Sequence, residues 1–342
     1  MSSIKPTLEN YLSGRLGAAV EITDLKPLTG GACQDNYLID LEVKGGSEAG
    51  NHRLVMRTDK GASLFASLSR ADEFSVCALA FGAGVKTPKP MWLEKNRAVI
   101  GNPFYFMQRI GGSANGRFVV KDASIAEARK RLPEELAGAL AAIHSVKPTD
   151  CTDTELLAKL GRLMEGASIA AQSVLELRGE AAKLKEPHPA LELILNWLEA
   201  NARPTADPVL VHGDFRTGNF MVSPQGLEGV VDWEFAHFGD RHEDISWLCM
   251  RDWRFGKLNK EAGGFTDRNT FYAAYEKAAG VKVDAQSVRY WEIMGNARWA
   301  CGSAGQAERH LSGLDKGIEL ASIGRRACEM EMEALRLIEH AG

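Results

Sequence analysis

Apolar and polar positions alternate along residues 20–25, 36–43 and 52–57, with Gly-rich breaks between them. That period of two predicts three strands joined by hairpin-like connections. Over 63–81, Leu64, Leu68, Phe74, Val76 and Leu79 stand among polar neighbours and predict a helix, and Phe104–Met107 predicts a buried strand. Beyond Gly111 and Gly112 the period changes. Leu132, Leu136, Leu140 and Ile143 recur every three or four residues, and similar patterns over 153–180, 188–201, 266–279 and 284–305 predict a mainly helical section. Residues 209–212, 220–222 and 229–232 interrupt it with β-like sequence. The pattern predicts an α+β architecture, a small β-rich lobe over 1–108 and a larger helical lobe over 109–342, hinged near 107–113.

Composition narrows the function classes. The chain has 342 residues, 45% hydrophobic and 25% charged, which excludes a fibrous or wholly disordered protein. A net charge of −4 argues against a nucleic-acid partner. No stretch approaches the roughly 18 to 20 apolar residues of a membrane span, and the N-terminus lacks a basic patch followed by an apolar run, so no membrane partner is expected. Six cysteines are widely spaced, without a Cys-x-x-Cys pair, as suits reduced thiols in a cytoplasmic protein.

Two of the interrupting β segments flank Ser223-Pro-Gln-Gly226, a sequence suited to a type I turn. If Ser223 faces Gly226, antiparallel pairing places Asp232 opposite Thr217, with Asn219 as its diagonal neighbour on the same face. Their oxygens could then converge on one hard cation or on two adjacent ones. Upstream, His212-Gly-Asp-Phe-Arg-Thr-Gly-Asn219 sets Asp214 five residues before Asn219, in a loop leaving a strand. A β-turn whose Asp and Asn bond only local backbone competes with a chemical role. The fixed offset followed by a hairpin aspartate favours the chemistry.

The pattern H-G-D-x-x-x-x-N followed by an aspartate at a strand end resembles the aminoglycoside phosphotransferase and choline kinase-like families, small-molecule relatives of the protein kinases. The stretch from Val211 to Leu248 is particularly similar to bacterial phosphotransferases related to the kinase domains fused to some acyl-CoA dehydrogenases. The resemblance covers about residues 20–305 and implies a bilobal protein kinase-like fold. It implies an ATP- and Mg2+-dependent transfer of the γ-phosphoryl group to a hydroxyl of a small molecule. On this likeness Asp214 is the catalytic carboxylate, and Asn219 and Asp232 are magnesium ligands. Phosphoryl transfer depends mainly on alignment and charge neutralisation, and a carboxylate is a weak base, so Asp214 would orient the acceptor hydroxyl and take its proton late.

For the nucleotide, the turn between the first two predicted strands carries Gly30 and Gly31, whose backbone N–H groups can cover phosphates, although a plain hairpin connection also fits. The resemblance puts Arg57 at the third-strand position where a lysine is usual, Glu73 as its helix partner, and Met107 on the hinge strand that receives adenine. Arginine offers a planar fork where lysine offers a point charge, so phosphate binding there must differ in geometry. A catalytically silent nucleotide-binding pseudokinase is the alternative that this departure leaves open.

Arg216, Arg251 and Arg254, with Glu234, are the candidate acceptor residues, and the arginines favour an anionic or neutral hydroxylated acceptor, such as a hydroxyacyl thioester, over an aminoglycoside. Solvent salt bridges are the competing account of those arginines. His144, His212 and Asp244 are expected to support the catalytic loop, and Asp240 with Glu243 to cap a helix. His237 and His242 raise a metal-dependent hydrolase, but their spacing is not that of a helical ligand pair. Trp233, Trp247, Trp253, Trp291 and Trp299 fit a core, with one or two available to wall an acceptor pocket.

Overall fold

A computed structural model of the chain describes residues 4–28, 34–59, 67–161, 168–205, 207–314 and 317–340. The alternating stretches form β1 (Ala19–Leu28), β2 (Gln34–Lys44) and β3 (Gly50–Asp59), each extending past its apolar centre because pairing continues through the polar ends. With β4 (Pro90–Glu94) and β5 (Phe104–Gln108) they make an antiparallel sheet in the order β1-β2-β3-β5-β4. Its apolar face packs Ile22, Ile39, Met56 and Phe106 against Leu8 and Leu12 of α1 (Ile4–Leu16). Neither α1 nor β4 is among the predicted elements. Leu8 and Leu12 are the fully buried residues that mark α1, and β4 opens on a proline.

The helix expected over 63–81 is α2 (Arg70–Gly82), and Leu64 lies outside the described residues. Ser69 starts it, its hydroxyl accepting the Asp72 N–H at 3.2 Å. The buried face of α2 carries Arg70, Glu73, Val76, Cys77 and Ala80, so two charged side chains share an otherwise apolar stripe.

The chain divides into two compact units, one ending at Gly111 but including Glu228–Phe235, the other comprising Gly112–Leu227 and Ala236 onward. The expected division at 108/109 lacks that returning segment. Long-range bonds hold it in the first unit: the Val230 N–H donates to the Lys86 carbonyl at 2.8 Å, the Thr87 hydroxyl to the Val230 carbonyl at 2.9 Å, and the Trp233 indole to the Thr87 hydroxyl at 3.0 Å.

In the second unit follow α3 (Gly116–Lys121), α4 (Ala126–Ser145), α5 (Thr154–Leu160), α6 (Ile169–Ala181) and α7 (Pro189–Ala200). Leu132, Leu136, Leu140 and Ile143 form the buried stripe of α4. Next come β6 (Val209–Val211), β7 (Phe220–Ser223), β8 (Gly226–Val230), which leads into the returning segment, and β9 (His237–Gly239). Then come α8 (His242–Cys249), α9 (Arg268–Ala279), α10 (Ala285–Leu311), α11 (Ile318–Gly324) and α12 (Arg326–Glu339). A core of α6, α7, α10 and α12 side chains, including Val174, Leu195, Met294 and Leu337, gives this unit its centre. Strands β6 and β9 pair antiparallel, Val211 opposite His237.

The ladder expected to carry Asp232 opposite Thr217 ends before either residue, because β7 begins at Phe220 and β8 stops at Val230. Asp232 instead takes a left-handed backbone, φ 73°, which cannot continue a strand. Asn219 and Asp232 are loop residues, and the shared face predicted from strand register does not exist.

Candidate active site

In the first unit, β3 ends in a charged cluster. Arg57 pairs across strands with Asn36 and Tyr105 and is buried. Its Nη2 lies 3.0 Å from Glu73 Oε1 and donates to Asp232 Oδ1 at 2.7 Å. Arg70, absent from the predicted residues, bonds the other oxygen of Glu73, places Nε 2.8 Å from Asp59 Oδ1 and Nη2 3.6 Å from Glu234 Oε2. Its signal was available: Arg70 precedes Glu73 by three, which puts both on one helix face.

Burial raises the Glu73 carboxyl, against the opposing pull of Arg57 and Arg70. Glu234 is pushed up to about 7, first by burial and then by the neighbouring Asp232 charge. The Leu68 N–H donates to the Glu234 carbonyl at 2.7 Å, and that bond and Arg70 both tie the 232–234 turn to the start of α2. Glu234 therefore stands with Arg57, Arg70, Glu73 and Asp232, and its expected acceptor role gives way to membership of this cluster. Met107 sits on β5 between Val55 and Pro90. Gly30 and Gly31 lie outside the described residues.

In the second unit, β6 delivers the chain into the loop 212–219. From α8, Asp244 accepts the His212 N–H at 2.8 Å and the Gly213 N–H at 2.9 Å. His144 places Nε2 3.2 Å from Asp244 and Nδ1 2.7 Å from the Tyr275 hydroxyl. Burial lowers the His144 ring against the opposing pull of Asp244. His212 is fully buried, and its Nδ1 accepts the Asp214 N–H at 3.2 Å. Gly213 and Gly218 take φ of 80° and 121°, and at Gly218 a Cβ would collide with the Arg216 guanidinium.

The Asp214 carboxylate receives three side-chain donors. Oδ1 accepts Arg216 Nε at 2.8 Å and Trp247 Nε1 at 2.7 Å, while Oδ2 accepts Asn219 Nδ2 at 2.6 Å. Asn219 Nδ2 also donates to the Asp214 carbonyl at 3.0 Å. Because both contacts are acceptors, the amide nitrogen must face Asp214, which turns Asn219 Oδ1 away as an oxygen donor with no partner among the described residues. That oxygen, and separately the Asp232 carboxylate, are each a hard oxygen donor of the kind Mg2+ takes. Trp247 is placed by sequence in the core or the acceptor-pocket wall, not in this hydrogen bond to Asp214. It follows Asp244 by three on α8, so spacing alone places both on the side facing the loop.

The arginines expected at the acceptor are differently employed. Arg216 is bound to Asp214 and stacks over Trp253 at 4.4 Å. Arg254 is buried and donates to the carbonyls of Cys249, at 2.7 Å, and Leu258, at 3.2 Å. Arg251 is exposed and lies 3.7 Å from Glu333. The expectation that Arg254 faces the acceptor is thus corrected, since it braces a turn, while the exposed Arg251 pairs with the buried Glu333. His237 meets Glu243 at 3.1 Å and His242 meets Asp240 at 2.6 Å, and the described residues hold no group of three or more potential His, Cys, Asp or Glu metal ligands. The expected capping pair is present in one direction, the Asp240 N–H donating to Glu243 at 3.0 Å.

Residues 24–281 match the model of the phosphotransferase enzyme family. The chain belongs to that family. Mouse acyl-CoA dehydrogenase family member 10 is 27% identical over 73% of this chain, which spans only 22% of that relative. A Ralstonia eutropha protein assigned as an aminoglycoside phosphotransferase superposes with a TM-score of 0.75 at 22% identity over 98% of both chains. Spectinomycin phosphotransferase, solved with ADP and spectinomycin, gives 0.62 at 12% identity over 97% of this chain and 98% of its own. These likenesses show a protein kinase-like fold for this family member. No helix among its described residues is long and apolar enough to cross a membrane.

Proposed function

We propose that this phosphotransferase moves the γ-phosphoryl group of ATP to a hydroxyl of a small molecule. Asp214 orients the acceptor hydroxyl and receives its proton. Asn219 and Asp232 are the residues that would serve Mg2+ as oxygen ligands, and the ion would supply charge that neutralises the nucleotide phosphates. Arg57, oriented by Glu73, binds phosphate oxygens, and the Met107 strand supplies backbone groups to adenine. Gly30 and Gly31 are assigned to contact with the nucleotide phosphates. The observation that carries this reading is the Asp214–Asn219 pair: one amide fixes the carboxylate and leaves its own oxygen for a cation, as alignment-based phosphoryl transfer needs. The intact pair argues against a silent pseudokinase. Free cysteines at 77, 151, 249, 301 and 328 support a cytoplasmic setting.

For the acceptor, a hydroxyacyl thioester rests on the acyl-CoA dehydrogenase name of the mouse relative. The aminoglycoside alternative rests on the name of a Niallia circulans relative, an aminoglycoside 3'-phosphotransferase 25% identical over 63% of this chain. A mass-spectrometric screen of hydroxyacyl-CoA and aminoglycoside pools with ATP and Mg2+ separates the two. Gain of one phosphoryl mass on a thioester supports the first, and gain on an aminoglycoside supports the second. Absence of any transfer, with nucleotide still bound, returns the pseudokinase reading.

A further inference from the structure

Glu73 is fully buried and has a guanidinium on each oxygen, Arg57 at Oε1 and Arg70 at Oε2. The Nη2 of Arg57 that approaches Glu73 also donates to Asp232. A buried carboxylate with a single guanidinium forms a neutral pair, leaving little positive charge for another anion. Here a second guanidinium shares Glu73, so the charge of Arg57 extends to Asp232. Arg70 also reaches Asp59, two residues beyond Arg57, and Glu234, two residues beyond Asp232. Its nitrogens thus tie α2, the end of β3 and the 232–234 turn together, which one ammonium could not span.

We propose that Arg70 is a positioning residue that neutralises Glu73, so that Arg57 can exchange Asp232 for a nucleotide phosphate. This rests on the phosphotransferase reading. In the structure Arg57 is held by Asp232. A bound nucleotide phosphate would take the Arg57 N–H groups from Asp232, whose carboxylate would then be available to a cation, while Arg70 keeps Glu73 compensated throughout.

Binding of a fluorescent N-methylanthraniloyl-ADP with Mg2+ to the full chain tests this without knowledge of the acceptor. Arg70→Gln should weaken binding about tenfold or more, and Arg70→Lys should fall between it and the parent. In a Glu73→Gln background the charge to be neutralised is gone, so adding Arg70→Gln should change affinity by less than about twofold. Unaltered affinity in Arg70→Gln, or an equal loss in both backgrounds, overturns the proposal, since a purely structural arginine would act alike in each. Should Arg70→Gln fail to fold by thermal melting, the double variant, which leaves neither buried charge unpaired, still carries the comparison with Glu73→Gln. Failure of the parent chain to bind the probe overturns the phosphotransferase reading itself, a different result from equal binding by parent and variant.

Discussion

Three donors reach the Asp214 carboxylate from different places: Arg216 and Asn219 in its own loop and Trp247 on α8. A carboxylate so held has one orientation, and orientation is what a weak base contributes to a loose transition state. Trp247→Phe keeps the ring and removes the N–H; turnover is expected to fall about tenfold with KM for ATP unchanged, as loss of one charge-assisted hydrogen bond implies. Steady-state kinetics on any accepted substrate checks this, and a changed KM with unchanged kcat would contradict it. Gly218→Ala should cost about 1–3 kcal/mol of stability, read by urea denaturation, because φ there is 121° and the Cβ meets Arg216. The pair Asp214 and Asn219 was legible in sequence because their contact is local. Arg254 was not, because its partners are carbonyls presented by a fold that composition does not reveal.

Helix α8 links that chemistry to the body of the second unit. Asp244 and Trp247, one turn apart, hold the backbone of 212–213 and the carboxylate of 214, and His144 on α4 braces Asp244 from behind. The His144 ring titrates below its unfolded value, so the folded protein binds fewer protons there. Its contribution to stability is complete above the unfolded value of about 6.5 and is lost as pH falls through the lowered one. Urea midpoints of the parent should therefore drop more steeply than those of His144→Gln on acidification below about pH 6.5; parallel curves would refute the assignment. At this scale the sequence was legible where periodicity is strong, as in β1–β3 and α4. It was opaque at α1, marked by two buried leucines, and at the hairpin, where the left-handed Asp232 ends the pairing that register arithmetic extends.

Across the whole chain, the two sections visible in the pattern reappear as compact units, but Glu228–Phe235 joins the first unit through Lys86 and Thr87. No local pattern announces that return, since it depends on contacts more than a hundred residues apart in sequence. It brings Asp232 and Glu234 to Arg57 and Arg70, and so makes the charged cluster at the end of β3. Ligand linkage supplies a test: MgATP at about 100 times its Kd should stabilise the protein by about 2.7 kcal/mol, and EDTA should remove most of that gain. Differential scanning fluorimetry reads both effects. The central claim is transfer of a phosphoryl group aligned by Asp214, and the most direct measurement is the mass gain of an accepted hydroxyl compound with ATP and Mg2+, compared between the parent chain and Asp214→Asn. The expected result is phosphorylated product from the parent and a rate about 10²- to 10⁴-fold lower from the variant; equal rates from the two would contradict the account.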